Sequence, residues 1–165
     1  MAMTADDVLK LIKDKEVKFV DLRFTDTRGK EQHVTVPVKY FGKDKFEAGH
    51  AFDGSSIAGW KGIQASDMLL MPEAGTARMD PFTDEPVLNI TCDVYEPQDG
   101  KPYDRDPRSI AKKAEAYLKQ TGIADASYWG PEAEFFIFNN VRYSSSTNEA
   151  FYHIDSAEGW WNSGD

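Results

Sequence analysis

Glu132 and Glu134 stand two residues apart in the run Gly130-Pro131-Glu132-Ala133-Glu134-Phe135-Phe136-Ile137-Phe138. On a strand, residues at that spacing project to one side, so both carboxylates would share a patch. Like charges so placed repel unless water or a cation lies between them, and hard cations such as Mg²⁺ or Mn²⁺ take oxygen ligands. The pair reads either as part of a divalent metal site or as a strand end whose carboxylates meet water. Asp53-Gly54-Ser55-Ser56 is the second candidate. An Asp followed by Gly and Ser makes a hydrogen-bonded turn, and such a turn can also present one carboxylate and a hydroxyl to a small polar ligand, with Trp60 as a wall. A glycosidase pairing of acid and nucleophile needs carboxylates at a set separation around a sugar cleft, which adjacent strand positions do not provide. The single Cys92 lies in an apolar run and reads as a buried structural thiol, with no disulfide framework to join.

The elements that must position these residues follow from period and punctuation. Thr4 caps a helix over 5–14, with Asp6 and Asp7 at its positive end and Val8, Leu9 and Ile12 on one face. From Val17 to Phe24 the period changes to two, with Val20, Leu22 and Phe24 on one face and Asp21 and Arg23 on the solvent side. Asp26-Thr27-Arg28-Gly29 is turn chemistry, so this strand should pair with His33-Val34-Thr35-Val36 as a hairpin. A short helix over 41–49 ends at Gly49, and 51–62 reads as a loop without period. Strands are expected at 68–71, 76–79 and 87–95, which gives an α+β domain ending near residue 100. The stretch 96–103 has linker composition. Asp106 then caps a helix with Pro107 at its first position, an apolar stripe of Ile110, Ala114, Tyr117 and Leu118, and Gly122 as terminator. Aromatic density predicts a buried strand after Pro131, and the tail from Arg142 reads as irregular.

A chain of 165 residues suits one domain, or one domain and the opening of another. Nineteen Lys and Arg against 28 Asp and Glu give a formal charge of -9, which argues against nucleic-acid or anionic-membrane binding. No apolar stretch approaches membrane-spanning length, and the residues before Lys10 lack the basic start of a targeting peptide, so the chain reads as soluble and cytoplasmic.

Phe52-Asp53-Gly54-Ser55-Ser56-Ile57-Ala58-Gly59-Trp60-Lys61-Gly62 followed by Ser66-Asp67 resembles the amino-terminal signature of glutamine synthetases, specifically the bacterial type I family. The resemblance continues through 18–26, through Tyr103-Asp104-Arg105-Asp106-Pro107-Arg108-Ser109-Ile110-Ala111 and through 130–136, and reaches Ile154-Asp155 and Trp161-Asn162-Ser163. It implies a β-grasp-like N-terminal domain over 1–103, followed over 104–165 by the truncated start of the catalytic α/β domain. It also implies an ATP-dependent ligase that joins ammonia to glutamate through γ-glutamyl phosphate, with Mg²⁺ or Mn²⁺ neutralising the phosphates. Asp53 matches the residue that binds ammonium and takes its proton, and Ser56 its neighbour at the same subunit boundary. Glu134 matches a ligand of the metal nearer glutamate, and Glu132 a ligand of the metal shared with the nucleotide. The family forms homo-oligomers, dodecamers of two hexameric rings, in which the β-grasp domain of one subunit completes the site of the next. On this reading the chain by itself should be inactive. The alternative is a β-grasp assembly module without chemistry of its own.

Overall fold

The computed structural model describes residues 3–162, which form two compact units divided between Ser127 and Tyr128. The first begins with helix α1 (Ala5–Asp14), closed at its start by a reciprocal capping box: Thr4 Oγ1 accepts from the Asp7 N–H, and the Thr4 N–H donates to the Asp7 carboxylate. Val8 and Ile12, four residues apart, enter the core. Strands β1 (Phe19–Thr25) and β2 (Glu31–Pro37) pair as the expected antiparallel hairpin, Phe19 opposite Pro37 and Thr25 opposite Glu31. In its turn Asp26 Oδ1 accepts from the N–H groups of Arg28 and Lys30, and Gly29 takes φ +81°.

Helix α2 (Asp44–Ala48) stops at Gly49 and leads into β3 (His50–Asp53), β4 (Asp67–Pro72), the two-residue β5 (Arg78–Met79) and β6 (Val87–Tyr95). The sheet order is β2-β1-β6-β4-β3, with β5 also on β6. β1 and β6 run parallel at its centre and every other pair is antiparallel. This is the β-grasp arrangement, in a mixed α+β unit whose apolar face gathers Val20, Leu22, Phe24, Met68, Leu70, Leu88, Ile90 and Val94 into one core with α1. Cys92 is buried there, and desolvation pushes its thiol far up, so it is an inert filler.

Within this sheet, expectations at three places need correction. The loop over 51–62 is a strand in its first part, because β3 adds to the edge of β4 with Phe52 opposite Met68. The segment expected at 76–79 is only Arg78–Met79, since a 3₁₀ turn occupies Ala74–Thr76. Asp21 does not face solvent: it is 4% exposed, because β1 lies inside the sheet and its second face is covered by a polar lattice. Asp21 accepts from Thr35 and Arg23 and pairs with His33 Nδ1 at 2.8 Å, while Arg23 also reaches Glu31 and Asp80. Burial opposes ionisation of Asp21, but His33, Thr35 and Arg23 outweigh it and hold the carboxyl below its ordinary range.

The stretch of linker composition after β6 is an exposed turn tied back to the sheet at its ends. Glu96 N–H donates to the Lys101 carbonyl, Gly100 takes φ +65°, and Tyr103 is buried against Trp60 at 5.2 Å between ring centroids. Helix α3 (Pro107–Thr121) follows, capped by Asp106 and ended by Gly122 in the left-handed conformation. Asp106 is 0% exposed. Its carboxylate accepts from the backbone N–H of Val94 in β6 as well as from Arg108 N, Ser109 N and Ser109 Oγ, so the cap also fastens α3 to the sheet. Arg108 and Lys112 add ion pairs to Glu73 and Asp93. The apolar stripe of α3 is not covered within this unit: Ile110 and Tyr117 are exposed.

The second unit contains a hairpin of β7 (Asn140–Ser145) and β8 (Ala150–Asp155), where the sequence suggested irregular chain. Ser146 N–H closes its turn on the Glu149 carbonyl. Asp155 Oδ1 accepts from Asn162 Nδ2 at 2.8 Å and Trp161 Nε1 at 3.3 Å, which joins two of the sequence's matching stretches in space; Ser163 lies outside the described residues. The buried strand expected after Pro131 is not formed. Residues 131–138 have no regular structure, and Phe135 and Phe136 are 80% and 87% exposed. Among the described residues no strand lies beside this segment to accept its backbone hydrogen bonds, and an apolar run without a paired edge has no reason to become a sheet.

Candidate functional site

Asp53 ends β3 and caps the 3₁₀ turn Gly54–Ser56. The pairing of β3 with β4 sets it opposite Asp67, so two carboxyl-bearing residues share one edge of the sheet. The turn is held from beneath. Gly54 is buried, its N–H donates to the Ser66 carbonyl at 2.7 Å, and a Cβ at this position would lie 2.2 Å from Met68 Sδ, so the chain passes where no side chain fits. Ile57 and Trp60 follow as anchors, both buried.

Trp60 is therefore not a wall of an open site. It is 6% exposed and packs on Phe24, Phe52 and Tyr103 with centroids 5.2 to 6.4 Å apart. Around it, Lys61 pairs with Glu96 and lies 5.1 Å from the Tyr103 ring centre, and Arg105 donates to the Gly59 carbonyl. The motif from Asp53 to Gly62 thus works as a fixed loop: the aromatic part is sunk in the core and the acidic part is left at the surface.

Asp53 itself is exposed, and Ser55 binds it twice. Asp53 Oδ1 accepts from Ser55 Oγ at 2.6 Å and from the Ser55 N–H at 2.8 Å. These bonds, with a smaller contribution from Ser66, hold the carboxyl below its ordinary range against slight desolvation. A carboxylate held in this way can offer a small cation a counter-charge at a defined place. Ser56 is exposed beside it. Ser55 was the member that spacing alone did not single out; its signal is the Asp-x-Ser pattern, in which the second residue after an Asp returns its N–H to that carboxylate.

Glu132 and Glu134 lie in the unpaired segment of the second unit, and both are exposed. Strand alternation, the reason given for their convergence, does not apply where no strand forms. Their oxygen donors suit Mg²⁺ or Mn²⁺, yet among the described residues no cluster of three or more Asp, Glu, His or Cys is arranged to hold a metal ion. The pair fits the metal in donor type and falls short of it in number. Nearby, Phe135, Phe136, Phe138, Ile154, Trp160 and Trp161 line an apolar groove of about 680 Å³ within the same unit.

Known proteins resemble the chain along nearly its whole length. Residues 16–97 match the glutamine synthetase β-grasp domain, and residues 104–163 match the glutamine synthetase catalytic domain. A protein of Cupriavidus pinatubonensis named 3-hydroxylaminophenol mutase is 63% identical over 164 residues, covering 99% of this chain and 35% of that protein. The glutamine synthetase of Methylococcus capsulatus is 62% identical over 161 residues, covering 98% of this chain and 34% of the enzyme. The chain thus spans about a third of the length of these relatives. Among solved structures, a Plasmodium falciparum glutamine synthetase superposes with a TM-score of 0.69 at 27% identity, covering 96% of this chain and 31% of that one. With a β-grasp sheet, the Asp53 loop and the opening of a catalytic domain in this order, the chain belongs to the glutamine synthetase family.

Proposed function

We propose that this chain is the N-terminal part of a cytoplasmic, ATP-dependent ligase that forms glutamine from glutamate and ammonia through γ-glutamyl phosphate. Residues 1–103 serve as its β-grasp domain and 104–165 open its catalytic domain. The observation that carries the reading is the Asp53 turn, an ionised carboxylate fixed by Ser55 on a rigid loop and facing solvent. Such a group offers ammonium a counter-charge and a defined position and is the acceptor for its proton, so general base catalysis is aided by positioning. Ser56 adds a hydroxyl at the same edge.

Glu132 and Glu134 are assigned to Mg²⁺ or Mn²⁺, which when bound neutralises the phosphates of ATP. Two carboxylates give only part of an octahedral shell, so the 165 residues by themselves are expected to bind metal weakly and to make no glutamine. In the assembled enzyme, a dodecamer of two six-membered rings, Asp53 of one subunit completes the site that holds Glu132 and Glu134 of its neighbour.

Mixing full-length Asp53→Ala subunits with Glu134→Ala subunits tests this. Mixed rings should regain glutamine formation, because some interfaces then pair an intact Asp53 with an intact Glu134. Rings shown by native mass to be mixed, yet without recovered activity, would refute the division between subunits. A second reading rests on the relative named for mutase activity. If the full-length protein rearranges 3-hydroxylaminophenol and fails to consume ATP with glutamate and ammonia, the ligase reading falls.

A further inference from the structure

Asp53 ends its strand at an exposed edge, opposite Asp67 in the register. A carboxylate at a strand end rotates freely unless something fixes it. The main restraint in the structure comes from Ser55, with Ser66 contributing less. Ser55 Oγ and Ser55 N–H converge on the same oxygen, Asp53 Oδ1, at 2.6 and 2.8 Å, so that oxygen is held by two donors while Oδ2 is left to other partners. Ser55 is half-buried while Ser56 is exposed, so the two neighbouring hydroxyls have different work. Gly54 is what brings Ser55 back under Asp53, since its buried position against Met68 and Ser66 fixes the turn.

From this we infer that Ser55 is the positioning residue of the ammonium site: it clamps Oδ1 of Asp53 and so orients the carboxylate toward the bound cation, whereas Ser56 is free to meet the ligand. The inference rests on the ligase reading and deepens it. Ser55 acts through Asp53 and touches no substrate. Its hydroxyl is therefore expected to matter to the ammonia half-reaction and not to formation of γ-glutamyl phosphate.

The test uses the full-length enzyme. Ser55→Ala should raise the KM for ammonium on the order of tenfold, as loss of an outer supporting hydrogen bond does at comparable charged sites. It should also move the acid limb of kcat/KM for ammonia to higher pH, since a hydrogen bond that favours ionised Asp53 is gone. Single-turnover formation of γ-glutamyl phosphate without ammonia should stay at the wild-type level, which also certifies that the variant is folded and assembled. Ser55→Thr, which keeps the hydroxyl, should restore both ammonium KM and acid limb. An unchanged acid limb and ammonium KM in Ser55→Ala, beside a strong defect in Asp53→Asn, would overturn the inference and leave the ligase reading standing. A full-length Asp53→Asn enzyme with normal ammonia kinetics would instead overturn the reading beneath it. If Ser55→Ala does not assemble, Ser55→Thr decides alone: an assembled Thr variant with the ammonium defect would show that the hydroxyl is not what matters.

Discussion

Replacing Asp106 with alanine removes four hydrogen bonds from a site with no access to water. Its carboxylate accepts from Arg108 N and Ser109 N as the cap of α3, from Ser109 Oγ, and from Val94 N in β6. Loss of the cap alone costs about 1 kcal/mol. Val94 is fully buried, so its N–H would be left without an acceptor, a penalty of about 1–3 kcal/mol. Together the loss should reach about 2–4 kcal/mol, a large share of the roughly 5–15 kcal/mol that holds an ordinary domain. Asp106→Asn should recover less than half of it, because its amide places donors where backbone N–H groups already point. Ser109→Ala, which removes one hydroxyl bond, should cost about 1 kcal/mol. Urea unfolding at neutral pH, followed by tryptophan emission, measures this well: Trp60 is buried in the first unit, while Trp129, Trp160 and Trp161 are exposed and respond little. A loss under about 0.5 kcal/mol in Asp106→Ala, the range of an ordinary surface change, would refute the idea that this carboxylate fastens α3 to the sheet.

Three further outcomes are expected. Gly54→Ala should lower stability by about 1–3 kcal/mol, since the added Cβ would meet Met68 Sδ at 2.2 Å and the Ser66 carbonyl at 3.1 Å; a thermal melt equal to wild type would show that the loop yields freely. Asp21 has its folded value below the ordinary carboxylate value, so the unfolded chain binds the proton more readily and stability is fully present above about pH 5, then lost as the pH falls through the folded value. Asp21→Asn should flatten that acid slope in urea midpoints, and an unchanged slope would place the acid sensitivity elsewhere. The exposed aromatic segment should make the 165-residue chain associate with rising concentration, and Phe135→Lys with Phe136→Lys should return it toward monomer in sedimentation; a clean monomer before substitution contradicts this.

How far the sequence could be read depended on whether each element's causes are local. Helix α1 and the β1–β2 hairpin are set by Thr4, by a period of two and by Gly29, all within the segment concerned, and they form where expected. The β6 strand coincides with its apolar run. Strand β3 escaped notice because four residues, His50–Asp53, show no usable period and exist as a strand only because β4 offers an edge. Asp21 was assigned to solvent because alternation tells which residues share a face and not whether that face is covered. Its cover comes from Arg23, His33, Thr35 and the distant Asp80. In the β7–β8 hairpin Val141 and Tyr143 alternate with polar residues for only one short stretch, and Phe151-Tyr152 in the partner strand breaks the period, so the pairing is visible only in space.

The same distinction separates the two halves of the candidate site. Asp53 is shaped by Gly54, Ser55 and Ser66 within thirteen positions of chain, so its ionised, oriented state belongs to the loop and needs nothing further to exist. Glu132 and Glu134 depend on a strand that forms only when another strand accepts its backbone, and in the described residues none does. An alignment of that pair by strand pairing would be a nonlocal event, whereas the position of Asp53 is a property of one turn. In the proposed site, shared between subunits, that division would have a use. On that proposal the Asp53 loop would reach a neighbour preformed and lose little conformational freedom on docking, while the two carboxylates assigned to the metal would be aligned only by strand pairing.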